Sequence, residues 1–366
     1  MVITREGNGR LRAKRVAILV ALTVASCVAL LWAYTPLQDF VNGGTVASRW
    51  GDATIVWRMN PNAGSNVDDT SGTSPLPLRD AVSAAFDVWR PENAQFTGVA
   101  INQASITEGT DTTVRDPNVQ DCVNIVSFNP TSNVAFSTGM IAFTQLVTAT
   151  PNPGTPDPPY QITVCGQPYS TDGSLIFGAD MVFNPQQQLS TSTPALADHF
   201  DVQSITSHEG GHFLGLDHSG IAHTMMYPFA ERGGGIQRYL ELDDMAGIAF
   251  LYPTSEFFST TAAITGRVTQ SNSNLFAAHL VAIEVISGVA VLDTLSNTDG
   301  TYRLDGLPAA NYYVLALPLG DIYTIDDFSG WSCGYTTNSP PCCDPQGPNC
   351  NGTALNPPSN YSGTFF

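Results

Sequence analysis

Positive charge is the scarcest property of this chain. Only 14 of its 366 residues are lysine or arginine, against 32 aspartates and glutamates, and Lys14 is the single lysine. A nucleic-acid partner needs a basic stripe to meet its phosphates, and this inventory argues against one. Charged residues make up 13% of the chain and hydrophobic ones 43%, the balance of a globular protein long enough to bury two cores.

Long apolar runs are also lacking, with one exception. Val16 to Tyr34 is uncharged and follows Arg5, Arg10, Arg12, Lys14 and Arg15. That order fits a signal peptide over residues 1–33, cut near Ala33 to give a secreted chain. Two alternatives stay open. Val24-Ala25-Ser26-Cys27 resembles a lipobox, which would lipidate Cys27, and an uncleaved run would span a bilayer as an anchor. All three put the rest of the chain outside the cytoplasm. Without residues 1–33 the basic count falls to 9 and the acidic count to 31, a net charge of −22. Beyond Cys27 there are six cysteines, an even number that agrees with export. Cys122 is expected to pair with Cys165. Cys333, Cys342, Cys343 and Cys350 are expected to form two bridges of unknown connectivity, with a metal site on Cys342-Cys343 as the rival reading.

What the chain does have is concentrated in eleven residues. His208-Glu209-Gly210-Gly211-His212-Phe213-Leu214-Gly215-Leu216-Asp217-His218 fits H-E-x-x-H-x-x-G-x-x-H. On a helix His208 and His212 lie one turn apart on the same face, so both imidazoles can reach one ion. Gly215 lets the chain leave the helix and brings His218 round as a third ligand. Three neutral histidines leave one position of a tetrahedral zinc open, which is how a catalytic rather than a structural site is built. Glu209, beside the first ligand, can take a proton from water.

This run, followed by Ser219 and then by Met225-Met226-Tyr227-Pro228, resembles the metzincin clan of zinc proteases and, within it, the matrixin-like family. Leu240 to Ile248 is similar to the helix that closes a matrixin catalytic domain. The resemblance covers roughly residues 46–253 and is sharpest between Asp201 and Pro253. It implies His208, His212 and His218 as zinc ligands, Glu209 as general base, and Met226 rather than Met225 as the methionine beneath the metal. Tyr227 is implied as a substrate contact. It also implies that the strand Met140 to Val147 is an edge that binds substrate in extended form. Relatives hold a second zinc with additional histidines. Here there are six in all and none before Asp198, so a second histidine-bound zinc is not expected. Asp180 is either a calcium ligand or a plain strand-end carboxylate. His223 is either a cleft residue or a solvated loop histidine, and His199 and His279 have no ligand-like spacing.

Patterning outlines the rest. Ala53 to Met59, Val99 to Ile101, Val123 to Phe128 and Ser174 to Asn184 read as strands, and Leu78 to Trp89 as an amphipathic helix. After Pro253, strands at Ile264–Val268, Leu280–Ile286, Thr301–Leu304 and Tyr312–Leu317 suggest a small β-sandwich resembling carboxypeptidase regulatory-like, transthyretin-like domains. The expected fold is thus an α+β metzincin catalytic domain, a twisted mixed sheet with an active-site helix, over residues 34–253. A small all-β sandwich follows over 254–319, then a Cys-rich, Pro/Gly/Asn-rich tail over 320–366. The expected activity is that of a monomeric extracellular zinc endopeptidase with one catalytic zinc and an optional calcium. It would act on protein or peptide, bind no nucleic acid, and touch membrane only through its N-terminal segment. Two rival functions stay open, a catalytically silent surface binding or adhesion protein on the same scaffold and a zinc hydrolase of non-peptide substrates. Glu209 separates the first rival, because a silent scaffold has no need of the base.

Overall fold

The structure is a computed structural model that describes residues 36–319 and 364–365, apart from short stretches at 42–43, 52–53, 63, 97–98, 101, 111–113, 119–120, 131–133, 138, 151–158, 172 and 235–236. The expected signal segment with Cys27, and Cys333, Cys342, Cys343 and Cys350, lie outside the described residues. Ser174–Phe183 is apolar along most of its length and nearly all buried, as a central strand must be when both of its faces are covered. It pairs in parallel with Gly44–Trp50 through Ser174↔Ser48 and with Asn124–Ser127 through Met181↔Val126. Ile55–Met59 and Ile106–Glu108 continue the sheet in parallel, and Gln38–Val41 closes it antiparallel to Gly44–Trp50. Ala142–Ala149 runs antiparallel to Ser174–Phe183, from Leu175↔Ala149 to Phe183↔Ala142. Among the described residues it pairs on that one side only, so it is an edge. It starts two residues later than expected because Gly139, at φ 87°, sits in a turn closed by the Met140 N–H bond to Ser137 O.

The strand expected at Val99 belongs elsewhere. Val99–Ala100 forms a short hairpin with Gln95–Phe96, and Ile106–Glu108 takes the place in the sheet. The chain between them is diverted. Asn102 bridges to Pro253, Gln103 donates to Tyr252 O, and the Asn102 side chain caps Ala104 N.

Helix α1 (Leu78–Asp87) buries Leu78, Ala81, Val82, Ala85 and Phe86 on one face, the stripe that its spacing predicts. Phe86 stacks on Trp57 at 4.7 Å between centroids and meets Phe213 of helix α2 (Val202–Leu214) edge-on at 5.4 Å. Trp89 then donates through Nε1 to Ser207 O at 2.9 Å, tying α1 to α2. Each fully buried aromatic or aliphatic side chain of this kind contributes about 1.5–3 kcal/mol. Cys122 and Cys165 are joined as a disulfide.

Helix α3 (Leu242–Leu251) is shared between two cores. Ile248 and Leu251 pack in the first, with Trp57, Phe86 and Phe213, whereas Ala246 and Ala249 pack in the second. That second core holds Leu280, Ala282, Leu292, Leu304, Leu307 and Val314, and follows a short helix α4 (Ser255–Thr260). Around it lie a two-stranded sheet, Thr261–Arg267 with Thr301–Pro308, and a second sheet in which His279–Glu284 is flanked by Ala290–Leu295 and Tyr312–Leu317. Ala290–Leu295 was not expected from the pattern. Its residues from Leu292 to Leu295 are all buried, Asp293 and Thr294 included, so the polar alternation that marks a strand is missing. No helix of the described residues is long and apolar enough to cross a membrane.

Candidate metal centre and active site

Helix α2 begins where its sequence provides a cap. Asp201 stands in extended conformation and its Oδ1 accepts the Ser204 N–H at 2.7 Å. Buried Arg238 reaches the same carboxylate with Nε at 3.1 Å from Oδ1, and also Thr193 Oγ1 at 2.6 Å and Ser192 O at 3.2 Å. The helix ends at Gly215, whose φ of 104° is a left-handed cap that other residues take at a cost. Past it the chain doubles back through the Leu216 N–H bond to Gly211 O, and His218 follows.

The three histidines converge. Ring centroids of His208 and His212 are 4.9 Å apart, and His218 lies 5.2 Å and 4.7 Å from them. One nitrogen from each falls within 4.8 Å of the other two. His208 Nδ1 is 2.8 Å from Met225 O, and His212 Nδ1 is 2.8 Å from Leu216 O. A carbonyl only accepts, so both Nδ1 atoms carry the proton and each Nε2 presents a lone pair. Burial, with His218 adding to it, pushes the His208 imidazole down to about 3 and the His212 imidazole well below its usual range. Both rings are therefore neutral near pH 7 and free to ligate. Neutral imidazoles aimed at one point are the donor set of zinc, and the arrangement is consistent with a zinc site. Among the described residues no other group of three histidines, cysteines or carboxylates converges in this way.

Met225 and Met226 are both buried. A Cβ on Gly211 would collide with Met226 Sδ and come within 3.0 Å of the Trp89 ring, so glycine lets the turn and the helix touch. Two Asp244 oxygens hold the turn from below, Oδ2 accepting Met225 N–H at 2.8 Å and Oδ1 accepting Met226 N–H at 3.0 Å. Asp244 Oδ2 also accepts Glu241 N–H at 2.9 Å at the start of α3. Burial pushes the Asp244 carboxyl up to about 7, with these N–H groups pulling the other way.

Glu209 is buried, and burial pushes its carboxyl up to about 7. Thr144, on the edge strand Ala142–Ala149, lies with Oγ1 2.7 Å from Glu209 Oε2 and 3.0 Å from Glu209 O. This hydroxyl opposes the upward shift. Neither Thr144 nor Asp244 stood out in the sequence, since each acts across the fold. The one available signal was the pair Asp243-Asp244 in the first turn of a helix, where acidic residues are common anyway.

Other expected residues fall in varied places. Tyr227 is half-buried and packs edge-on against exposed Phe229 at 5.6 Å. His223 is exposed, and His199 pairs with Asp198 at 2.6 Å. The calcium expectation at Asp180 finds no support. Asp180 is fully buried and its oxygens accept Asn118 N–H at 2.6 Å and Ile125 N–H at 2.9 Å. Calcium takes six or more oxygen ligands, and here backbone amides occupy the carboxylate. Burial pushes Asp180 up to about 6, and the residue ties the chain around Asn124–Ser127 to the central strand.

Residues 151–253 match the Matrixin family of peptidases, which supports a matrixin-like metalloprotease in this part of the chain. Two curated relatives agree at that level. Karilysin of Tannerella forsythia is 29% identical over 107 residues, covering 29% of this chain and 22% of karilysin. Metalloendoproteinase 2-MMP of Arabidopsis thaliana is 38% identical over 65 residues, 17% of this chain and 16% of that protein. The chain thus spans about a fifth of the length of these relatives.

Proposed function

We propose that this chain is an extracellular zinc-dependent endopeptidase in which His208, His212 and His218 hold the ion and Glu209 is the general base. The observation that carries this reading is the convergence of three imidazoles, two of them held neutral, with a buried glutamate set between the first two ligands. Bound zinc would supply Lewis acidity, which acidifies water and polarises a scissile carbonyl. Glu209 takes the proton from the attacking water and hands it to the leaving amine. A carboxyl raised to about 7 is suited to both halves of that task near neutral pH. Thr144 engages Oε2, so proton transfer falls to Oε1. The edge strand Ala142–Ala149, which carries Thr144 and among the described residues pairs on one side only, is open to an extended peptide. Met226 forms the floor under the ligands, and Tyr227 contacts substrate.

The division of the chain belongs to the same reading. Residues 34–253 form the protease unit, 254–319 a transthyretin-like sandwich, 320–366 a Cys-rich tail, and 1–33 the export or anchor segment. The test is cleavage of unfolded casein and a mixed peptide library by residues 34–366, with and without a zinc chelator. Chelator-sensitive cleavage restored by zinc supports the peptidase. A folded, zinc-loaded protein that cuts nothing sinks it in favour of a binding scaffold.

A further inference from the structure

His218 is the ligand that α2 does not carry. His208 and His212 are placed by one helix and oriented by carbonyls, whereas His218 lies on chain that has already turned away at Gly215. Its position depends on what holds residues 217–220. Part of the answer lies in the second core, some 70 residues further on.

We propose that Asp293, on strand Ala290–Leu295, is a positioning residue for His218, and that the second core is thereby part of the metal centre. Two of the donors just past His218 reach this carboxylate. Ser219 Oγ donates to Asp293 Oδ1 at 3.1 Å, and Gly220 N–H donates to Oδ2 at 2.7 Å. His279 closes the other side with Nε2 2.5 Å from Oδ2. Ser219, Asp293 and His279 are all buried. The fit is shaped as well as bonded, since a Cβ on Gly220 would meet the His279 ring at 2.6 Å and Asp293 Oδ2 at 2.8 Å. Charge-assisted bonds to consecutive donors fix a segment more tightly than neutral ones do.

The clamp continues into α3. Asp293 N–H donates to Asp243 Oδ1 at 3.0 Å, and the next residue, Asp244, holds the amides of Met225 and Met226. The ligand loop, the methionine turn and the second core thus meet at two adjacent aspartates. Ser219 N–H bonded to Met226 O at 2.9 Å completes the ring. An appended adhesion module has no reason to grip the loop of a metal ligand. Partners that orient metal ligands from outside the coordination sphere are worth about 10–100-fold in metal affinity.

This inference rests on the zinc reading, and the test separates the two. Full-length chain carrying Asp293→Asn, His279→Gln or Ser219→Ala is loaded with zinc and, in parallel, with cobalt(II). Release of zinc to a chromophoric chelator is expected to quicken about 10–100-fold in Asp293→Asn, with less change in Ser219→Ala. The cobalt visible bands, which report ligand geometry, are expected to shift in both. In metal-free protein, amide exchange at residues 219–221 is expected to rise in Asp293→Asn. Should that variant fail to fold, Ser219→Ala decides, because it removes the hydroxyl, with its bonds to Asp293 Oδ1 and from Ile221 N–H, and no charge. Wild-type release, spectra and exchange in folded variants overturn the positioning role alone. A wild-type chain that takes up neither metal overturns the zinc reading, and the positioning role with it.

Discussion

Glu209 on α2 and Asp244 on α3 are both buried, and burial pushes both carboxyls up to about 7, yet they are held by different partners. Asp244 accepts three backbone N–H bonds, from Met225, Met226 and Glu241. Glu209 has one hydroxyl, from Thr144. A carboxylate whose oxygens are filled by amides is a structural pin, and its charge serves the backbone. One that keeps an oxygen clear of amides can trade a proton with water. The same shifted value therefore says little about role until the donors are counted.

Removing each side chain separates the two carboxylates by the largest effect. In Glu209→Ala, kcat/KM should fall about 10²–10⁴-fold while bound zinc and thermal stability stay close to wild type. In Asp244→Ala, three buried amides lose their acceptor, at about 1–3 kcal/mol each if water does not replace it. The melting temperature should drop by about 10 °C, with activity following the folded fraction. Peptide cleavage, zinc content and calorimetry on both proteins check this. If Asp244→Ala proved stable but inactive, or Glu209→Ala stable and active, the two roles would have been assigned the wrong way round.

The difference between these carboxylates also marks how far the sequence could be read. His208, Glu209, His212, Gly215 and His218 announce themselves because one helix and its cap require fixed short spacings. Thr144 meets Glu209 across 65 residues, and Asp293 meets Ser219 across 74. No periodicity encodes such pairs. The run Leu292 to Leu295 carries no alternation to mark its strand, because Asp293 and Thr294 are buried together with Leu292 and Leu295. Asp180 invited a calcium ion only because the folding back of Asn118 and Ile125 amides could not be seen.

Thr144→Val leaves Glu209 with no hydroxyl and keeps the shape of the strand. The hydroxyl holds the Glu209 carboxyl down against the effect of burial. Without it the carboxyl rises, so the acid limb of the pH–rate profile should move to higher pH. We expect kcat to fall about tenfold at neutral pH with KM nearly unchanged, a loss of about 1.4 kcal/mol in the transition state. An unmoved acid limb would mean that Thr144 packs against Glu209 without tuning it.

Asp180 is a buried carboxylate with no part in the metal centre. Like Asp244 it is tied by backbone amides, and burial pushes it up to about 6, well above an ordinary aspartate. The folded state therefore binds its proton more tightly than the unfolded state does. Its contribution to stability is complete below about pH 4 and is lost as pH rises through about 6. Asp180→Asn should flatten that stretch of the stability curve at a cost of about 1 kcal/mol, because the amide cannot accept both N–H bonds. The difference in melting temperature between wild type and variant from pH 4 to 7 isolates this slope from those of Glu209 and Asp244, and added calcium should not raise the melting temperature of either protein. A pH dependence that Asp180→Asn left unchanged over that window would show that the Asn118 and Ile125 amides outweigh burial, making Asp180 an ionised pin throughout.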